Sequence, residues 1–174
     1  MSYAFGGPGP GFTLAIVGAM SRARPASLTL DEFLPYRLSV AANVVSQRIA
    51  RVYAEQYGLS TQEWRLIAVL GEDGERTQLD LVRRTRMEKV PVSRAARALE
   101  ERGLVRRARS ERDARSRRLS LTAAGRRIYE RVAPAALSAE AEVLSELEPA
   151  ERAVLRSLLE RVERTASRVL KQDP

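Results

Sequence analysis

Basic side chains concentrate between Arg83 and Arg127 of this 174-residue chain. This stretch carries 16 basic and 5 acidic residues, a net charge of +11, whereas the rest of the chain carries 14 basic and 17 acidic residues, a net charge of −3. Guanidinium groups donate paired hydrogen bonds to phosphate oxygens and to guanine edges. A charged run is often only a solvated surface, and the arginine excess also fits a GC-rich genome, but side chains that only solubilise would be spread out. The clustering therefore predicts a surface that binds an acidic partner, with nucleic acid the first candidate.

The residue types that most enzymes use are missing from the sequence. The chain contains no Cys and no His. Disulfides, Cys/His zinc sites, thiol nucleophiles and Ser-His-Asp triads are therefore excluded. No Gly-rich phosphate loop and no paired carboxylates stand out, so we expect neither an enzyme nor a bound cofactor or metal.

Caps and apolar spacing predict two helices in the first half of the chain. Residues 35–58 have helical periodicity, with a proline in the first turn and a glycine at the end. Residues 60–63 (Ser-Thr-Gln-Glu) form a capping-box pattern that opens a second helix. Gly71 and Gly74 are expected to end it.

Two more helices and a hairpin follow. Residues 77–80 open a short third helix, with Leu79 and Val82 expected to face inward. A fourth helix has one apolar face and closes at Gly103. Residues 104–121 alternate apolar and polar at both ends around an Arg-rich middle, which is typical of a β-hairpin.

Two long helices complete the chain. Thr122 caps a fifth helix, which Pro134 is expected to kink or interrupt. Glu148-Pro149 opens a sixth helix. The sixth carries an apolar stripe made of Val154, Leu155, Leu158, Leu159, Val162 and Val169.

This order predicts a mainly α fold with a small β-hairpin wing. Residues 59–122 form a winged helix-turn-helix DNA-binding domain, and residues 30–58 and 123–174 form a helical dimerisation region. The long apolar stripes exceed what one small domain can bury, so an identical subunit is the simplest cover.

Residues 1–29 differ in composition from the rest. A Gly/Pro-rich start is followed by an apolar run over 12–20 that is shorter than the roughly 20 residues needed to span a membrane. No Lys or Arg precedes that run, so a signal peptide is not indicated. We expect residues 1–29 to be a disordered extension, or a non-native one if translation starts at Met20. We also expect a cytoplasmic protein without a membrane partner.

Three stretches resemble the MarR family of bacterial transcription regulators. The most specific runs from Asp113-Ala-Arg115 through Leu119 to Gly125 and matches the family's wing signature, Asp-x-Arg followed by Leu-Thr-x-x-Gly. Residues 92–105 look like the recognition helix with its closing Leu-Glu-x-x-Gly-Leu-Val, and residues 57–64 look like the entry to the second helix. The resemblance covers roughly Leu30 to the C-terminus. It implies a homodimer on a pseudo-palindromic DNA operator and repression relieved by a small, often aromatic, effector.

The start of the fourth helix supplies the candidate base contacts. Recognition helices read base edges with their N-terminal residues. The candidates there are Lys89, Val90, Pro91, Ser93, Arg94 and Arg97, although the basic ones can equally hold only phosphates. The family commonly has Thr where Pro91 stands. Because proline restricts the preceding residue, we expect the helix to begin at Pro91 rather than at Lys89.

The wing supplies the second set of candidates. The resemblance places Arg115 in the minor groove, oriented by Asp113, although an Asp there can also simply shape the turn. Arg112, Arg117 and Arg118 are expected to contact phosphates.

Effector contacts are sought on the first two helices, where the family has its pocket. The candidates are Tyr36, Arg37, Asn43 and Trp64. Trp64 can alternatively be a core residue, and Arg37 can lie in the dimer interface.

The predicted function is a dimeric, sequence-specific transcriptional regulator, a repressor released by a small ligand. The alternative is a winged-helix architectural or protein-interaction module without ligand control. Competition with random DNA distinguishes the two.

Overall fold

The helix boundaries follow from caps that the sequence supplies. In the computed structural model, which describes residues 27–109 and 117–172, the Glu63 N–H donates to the Ser60 hydroxyl at 3.2 Å and the Ser60 N–H donates to the Glu63 carboxylate at 2.8 Å. Thr77 and Asp80 form the same reciprocal pair. Thr122 accepts the Gly125 N–H at 3.1 Å. Each cap satisfies backbone N–H groups that the first helical turn leaves without partners.

Within the described ranges the chain forms six α-helices and three short strands. They are α1 (Leu34–Tyr57), α2 (Thr61–Asp73), β1 (Arg76–Thr77), α3 (Gln78–Thr85), α4 (Lys89–Glu101), β2 (Val105–Arg109), β3 (Arg117–Leu121), α5 (Ala123–Val143) and α6 (Pro149–Val169). A short 3-10 turn over Leu30–Glu32 precedes α1. This is the mainly helical winged fold that the sequence predicts. No helix in the described ranges is long and apolar enough to cross a membrane.

The wing is a three-stranded antiparallel sheet in the order β1-β3-β2. β2 and β3 form the predicted hairpin, with Arg107 opposite Leu119. β1 adds Arg76 opposite Leu119 and Thr77 opposite Arg118. Sequence reasoning missed this third strand, because two residues are too few to show a period.

The core lies where α2, α3 and α4 meet β3 and the ends of α1 and α5. Its largest fully buried side chains are Tyr53, Leu59, Leu66, Ile67, Leu70, Leu81, Val92, Leu99, Leu119 and Val132. The predicted inward pair on α3 is wrong in one member: Leu79 is 57% exposed and Leu81 is fully buried. An eight-residue helix has too few turns for its spacing alone to fix the buried face, and packing against α2 and α4 decides it.

Three predicted boundaries also need correction. α2 does not end at Gly71 but continues to Asp73, with Gly74 as its cap. α4 begins at Lys89 rather than at Pro91. Pro91 is then the third helical residue, whose N–H would have no partner within the helix in any case, so proline is tolerated there. α5 is not interrupted by Pro134 but runs through it to Val143, so of the two predicted effects the interruption is wrong and the kink stays a prediction.

Candidate nucleic-acid interface

The recognition helix α4 has one buried face and one exposed basic face. Val92, Ala96 and Leu99 are completely buried and fix α4 against the core. Five of the predicted contacts are on the exposed side, namely Lys89, Val90, Ser93, Arg94 and Arg97, and Pro91 is half-buried beside them. The packing of the apolar face therefore determines which side chains α4 presents outward.

A polar groove separates α4 from the wing. It encloses about 400 Å³ and is lined by Ser93, Arg94, Arg97, Glu100, Arg107 and Arg117. Four guanidinium groups face one carboxylate in this groove, so its charge is strongly positive. Glu100 of α4 pairs with Arg107 of β2 at 3.4 Å and links the helix to the hairpin. The groove brings three of the predicted helix contacts, Ser93, Arg94 and Arg97, together with Arg117 of the wing. Lys89, Val90 and Pro91 are not among its lining residues.

Arg107 is a groove residue that the sequence prediction missed. Its side chain is 24% exposed, and its Nε is buried without a hydrogen-bond partner among the described residues. Arg107 stands two residues after the buried Val105 and opposite the buried Leu119. Alternate residues of a strand share a face, so this spacing places Arg107 on the helix-facing side of the hairpin.

Arg117 and Arg118 are not equivalent. Arg117 is exposed and lines the groove. Arg118 points to the other face of the sheet and pairs with Glu75 at 3.7 Å, and both of these side chains are partly exposed. The structure thus separates two arginines that the sequence analysis grouped as phosphate contacts. Arg112, Asp113 and Arg115 lie outside the described residues.

The four candidate effector residues are not brought together within one subunit. Tyr36, Arg37 and Asn43 are on the exposed surface of α1. Trp64 is half-buried and stacks on Tyr53 at 5.5 Å between ring centroids. Tyr36 and Tyr53 are separated by 17 residues of α1, about 25 Å at the helical rise.

The aromatic stack joins the winged domain to α5. Trp64 also stacks on Tyr129 of α5, with a centroid distance of 6.4 Å. Tyr129 packs on Gly71, and Arg126 lies over the Tyr129 ring at 5.5 Å while donating to the Gly71 carbonyl at 2.9 Å. Trp64 is therefore packed between α1 and α5, which agrees with the core alternative considered for it.

The comparisons with known proteins agree with this geometry. The sequence profile of the MarR family matches residues 57–116. A probable transcriptional regulator from Pseudomonas aeruginosa is 31% identical, with a TM-score of 0.65, and the match covers 77% of this chain and 99% of that one. Among curated proteins none matches the chain significantly.

Two further structures share the fold at lower identity. A MarR family regulator from Streptomyces coelicolor, solved in complex with DNA, is 23% identical with a TM-score of 0.68, over 81% of this chain and 91% of that one. BpsR from Bordetella bronchiseptica, whose DNA binding is regulated by 6-hydroxynicotinic acid, is 21% identical with a TM-score of 0.73, over 79% of this chain and 98% of that one. From the profile match, the identity to the Pseudomonas protein and the winged-helix geometry, we conclude that this chain belongs to the MarR family of transcriptional regulators.

Proposed function

We propose that this protein is a homodimeric repressor that binds a pseudo-palindromic DNA operator and is released by a small aromatic ligand. The groove between α4 and the wing carries the proposal, because four arginines and one carboxylate line it, which leaves it strongly positive along the exposed basic face of α4. In this arrangement α4 enters the major groove and the hairpin reaches the adjacent minor groove or backbone. A DNA-binding role in turn favours a cytoplasmic location.

The proposed DNA contacts divide into two groups. Lys89, Arg94 and Arg97 project from α4, where base edges are within reach in a major-groove complex. Arg112, Arg117 and Arg118 add phosphate contacts in the proposal, and Arg115 with Asp113 reaches the minor groove as the family resemblance implies. The pairing of Arg118 with Glu75 makes Arg118 the weakest of these candidates.

DNA binding is tested by its salt dependence. Each neutralised phosphate contributes about 0.9 to the slope of log K against log salt, so about six contacts reduce the affinity roughly a thousandfold between about 50 and about 200 mM salt. The measurement is fluorescence anisotropy with the chain's own upstream DNA, repeated with random competitor DNA. A flat salt profile contradicts the proposal, and equal competition by random DNA favours the architectural alternative.

The wing contribution is tested at Arg115. Arg115→Ala is expected to weaken DNA binding strongly while the protein remains dimeric. Arg164→Ala, on the exposed surface of α6, is the matched truncation away from the wing and is expected to bind DNA as the wild type does. If Arg115→Ala were monomeric, the division into a DNA-binding domain (59–122) and a dimerisation region (30–58 and 123–174) would be wrong.

The dimer is supported by the surface of α6. Its apolar stripe is exposed in the single subunit, with Val154 at 57%, Leu158 at 48% and Val162 at 50%. Leu34 and Val44 of α1 and Leu137 of α5 are exposed as well. Among the described residues, α6 makes few contacts with any other element of its own chain. An apolar surface this long on a 21-residue helix is typical of a subunit interface.

The dimer is tested by placing a charge in the stripe. Leu158→Glu is expected to yield monomers in sedimentation velocity, because an unpaired carboxylate would be buried at the interface. Ser157→Glu introduces the same group about 100° around the helix, away from the stripe, and is expected to leave the dimer intact. A wild-type monomer, or a dimeric Leu158→Glu, contradicts the proposal.

Ligand release is supported by the relative whose DNA binding responds to 6-hydroxynicotinic acid. In the proposal an aromatic acid binds beside Trp64 of one subunit. Because Tyr36, Arg37 and Asn43 of that subunit lie apart from Trp64, they contribute from α1 of the second subunit. Trp64 is the single tryptophan of the chain, so its fluorescence reports on this site alone. A panel of aromatic acids that includes 6-hydroxynicotinic acid is expected to change that emission, raise Tm and lower DNA affinity. If no member of the panel does so, the ligand part of the proposal is contradicted.

A further inference from the structure

One turn of the DNA-binding domain has an unusual backbone. Among the described residues four have a positive φ, and three of them are glycines: Gly58, Gly74 and Gly103. The fourth is Arg86, which follows α3 with φ 56° and ψ 18°. A Cβ atom crowds the backbone in this left-handed region, whereas glycine adopts it without strain. The chain thus uses glycine at three such positions and arginine at the turn that leads into the recognition helix.

The turn is held in this conformation from both sides. The Thr85 hydroxyl donates to the Leu81 carbonyl at 2.6 Å, and the Met87 N–H donates to Thr85 Oγ1 at 3.4 Å. Met87 is half-buried and packs against the core. These contacts on both sides favour the left-handed conformation of Arg86, whose side chain is exposed.

The position of Arg86 suits a contact with the DNA backbone. It precedes Lys89, the first residue of α4, by three residues, so its Cα lies within about 11 Å of the end of the helix that enters the major groove in the proposed complex. The neighbouring Arg84 forms ion pairs with Glu72 at 3.0 Å and with Asp73 at 3.3 Å. In the described part of the chain no carboxylate lies within ion-pair distance of Arg86, so its charge is available to a partner.

We propose that Arg86 binds a DNA phosphate beside the recognition helix, and that this contact is the reason why arginine occupies a backbone conformation that suits glycine better. The inference rests on the proposed DNA-binding function and adds a residue outside α4 and the wing. It also predicts that thermal stability and DNA affinity change in opposite directions when glycine replaces Arg86.

The experiment compares three variants with the wild type. Arg86→Gly removes both the strain and the charge, Arg86→Asn removes the charge with a residue that tolerates the left-handed region, and Arg86→Lys keeps charge and strain. Arg51→Gln, at an exposed position of α1, is the control for a lost positive charge elsewhere. Tm is measured without DNA, and anisotropy titrations with operator and random DNA are run at several salt concentrations.

Arg86→Gly is expected to raise Tm and to reduce the salt slope by about 0.9 for each subunit, about 2 for a dimer. The same loss corresponds to a roughly 60-fold weaker affinity of the dimer near 0.1 M salt, to operator and random DNA alike. Arg86→Asn is expected to lose the same slope, and Arg86→Lys and Arg51→Gln are expected to keep the wild-type slope.

Three different results would overturn the inference. If the wild type binds DNA with a steep salt slope and Arg86→Gly or Arg86→Asn keeps that slope, Arg86 is not a phosphate contact and the proposed function still stands. If Arg86→Gly melts below the wild type, the premise of strain is wrong. If the wild type itself lacks salt-dependent DNA binding, the proposed function fails and the inference fails with it.

Discussion

Gly125 decides how closely α5 packs against the wing. A Cβ atom at this position would overlap the carbonyl oxygen of Leu104, which is backbone and cannot rotate away. The same carbonyl accepts the Thr122 N–H at 3.0 Å, and Thr122 Oγ1 donates to the Gly103 carbonyl at 2.7 Å. Gly125→Ala must therefore displace α5 or β2 and disturb the hydrogen bonds that join them.

The size of the effect follows from opposing contributions. Alanine is about 1 kcal/mol better than glycine inside a helix, so helix propensity alone predicts stabilisation. Overpacking costs about 1–3 kcal/mol, and each weakened hydrogen bond costs about 1 kcal/mol more. We expect Gly125→Ala to lower the free energy of unfolding by about 2 kcal/mol.

Gly71→Ala is the matched comparison. Its Cβ would overlap the ring of Tyr129, which is a side chain, whereas at Gly125 the overlap is with backbone, so we expect a smaller loss than at Gly125. Urea unfolding followed by circular dichroism, at one fixed protomer concentration, measures both variants. A Gly125→Ala protein at least as stable as the wild type would refute the close packing of α5 on Leu104.

Three other changes have expected outcomes. The Thr77 hydroxyl donates a hydrogen bond to the Asp80 carboxylate, which lowers the pKa of Asp80 below its ordinary value of 3.8. The ionised carboxylate therefore stabilises the fold above pH 3.8, and this stability is lost as the pH falls through the lowered pKa. Asp80→Asn is expected to flatten the decline in unfolding free energy between about pH 5 and about pH 3. Pro134→Ala restores a helical N–H in α5 and is expected to raise the unfolding free energy by about 1–3 kcal/mol in urea titrations. Glu100→Gln removes the one carboxylate that lines the groove and the ion pair that it forms with Arg107. Anisotropy titrations are therefore expected to show tighter DNA binding and a steeper salt slope. The unfolding free energy is expected to change by less than about 1 kcal/mol.

The helices could be predicted from the sequence because their ends are encoded locally. The Ser60–Glu63 and Thr77–Asp80 pairs each act within four residues, and both form as reciprocal caps. Features that depend on distant partners could not be predicted in the same way. β1 exists only because its two residues pair with β3. The reason for a glycine at position 71, inside α2, is the ring of Tyr129, 58 positions later, which leaves no room for a Cβ atom.

The location of the basic surface could be predicted because the charge of each segment is read directly from the sequence. Which arginines face the groove depends on the register of the strands. On β3, Leu119 is buried, so Arg117 shares its face and Arg118 has the opposite one. On β2, Arg107 shares the face of Val105 and lies opposite Leu119. A shift of one residue would exchange every one of these roles. The burial of Val105 and Leu119 in the core therefore fixes which guanidinium groups the wing turns towards α4, so the hydrophobic core determines the charge pattern of the proposed DNA surface.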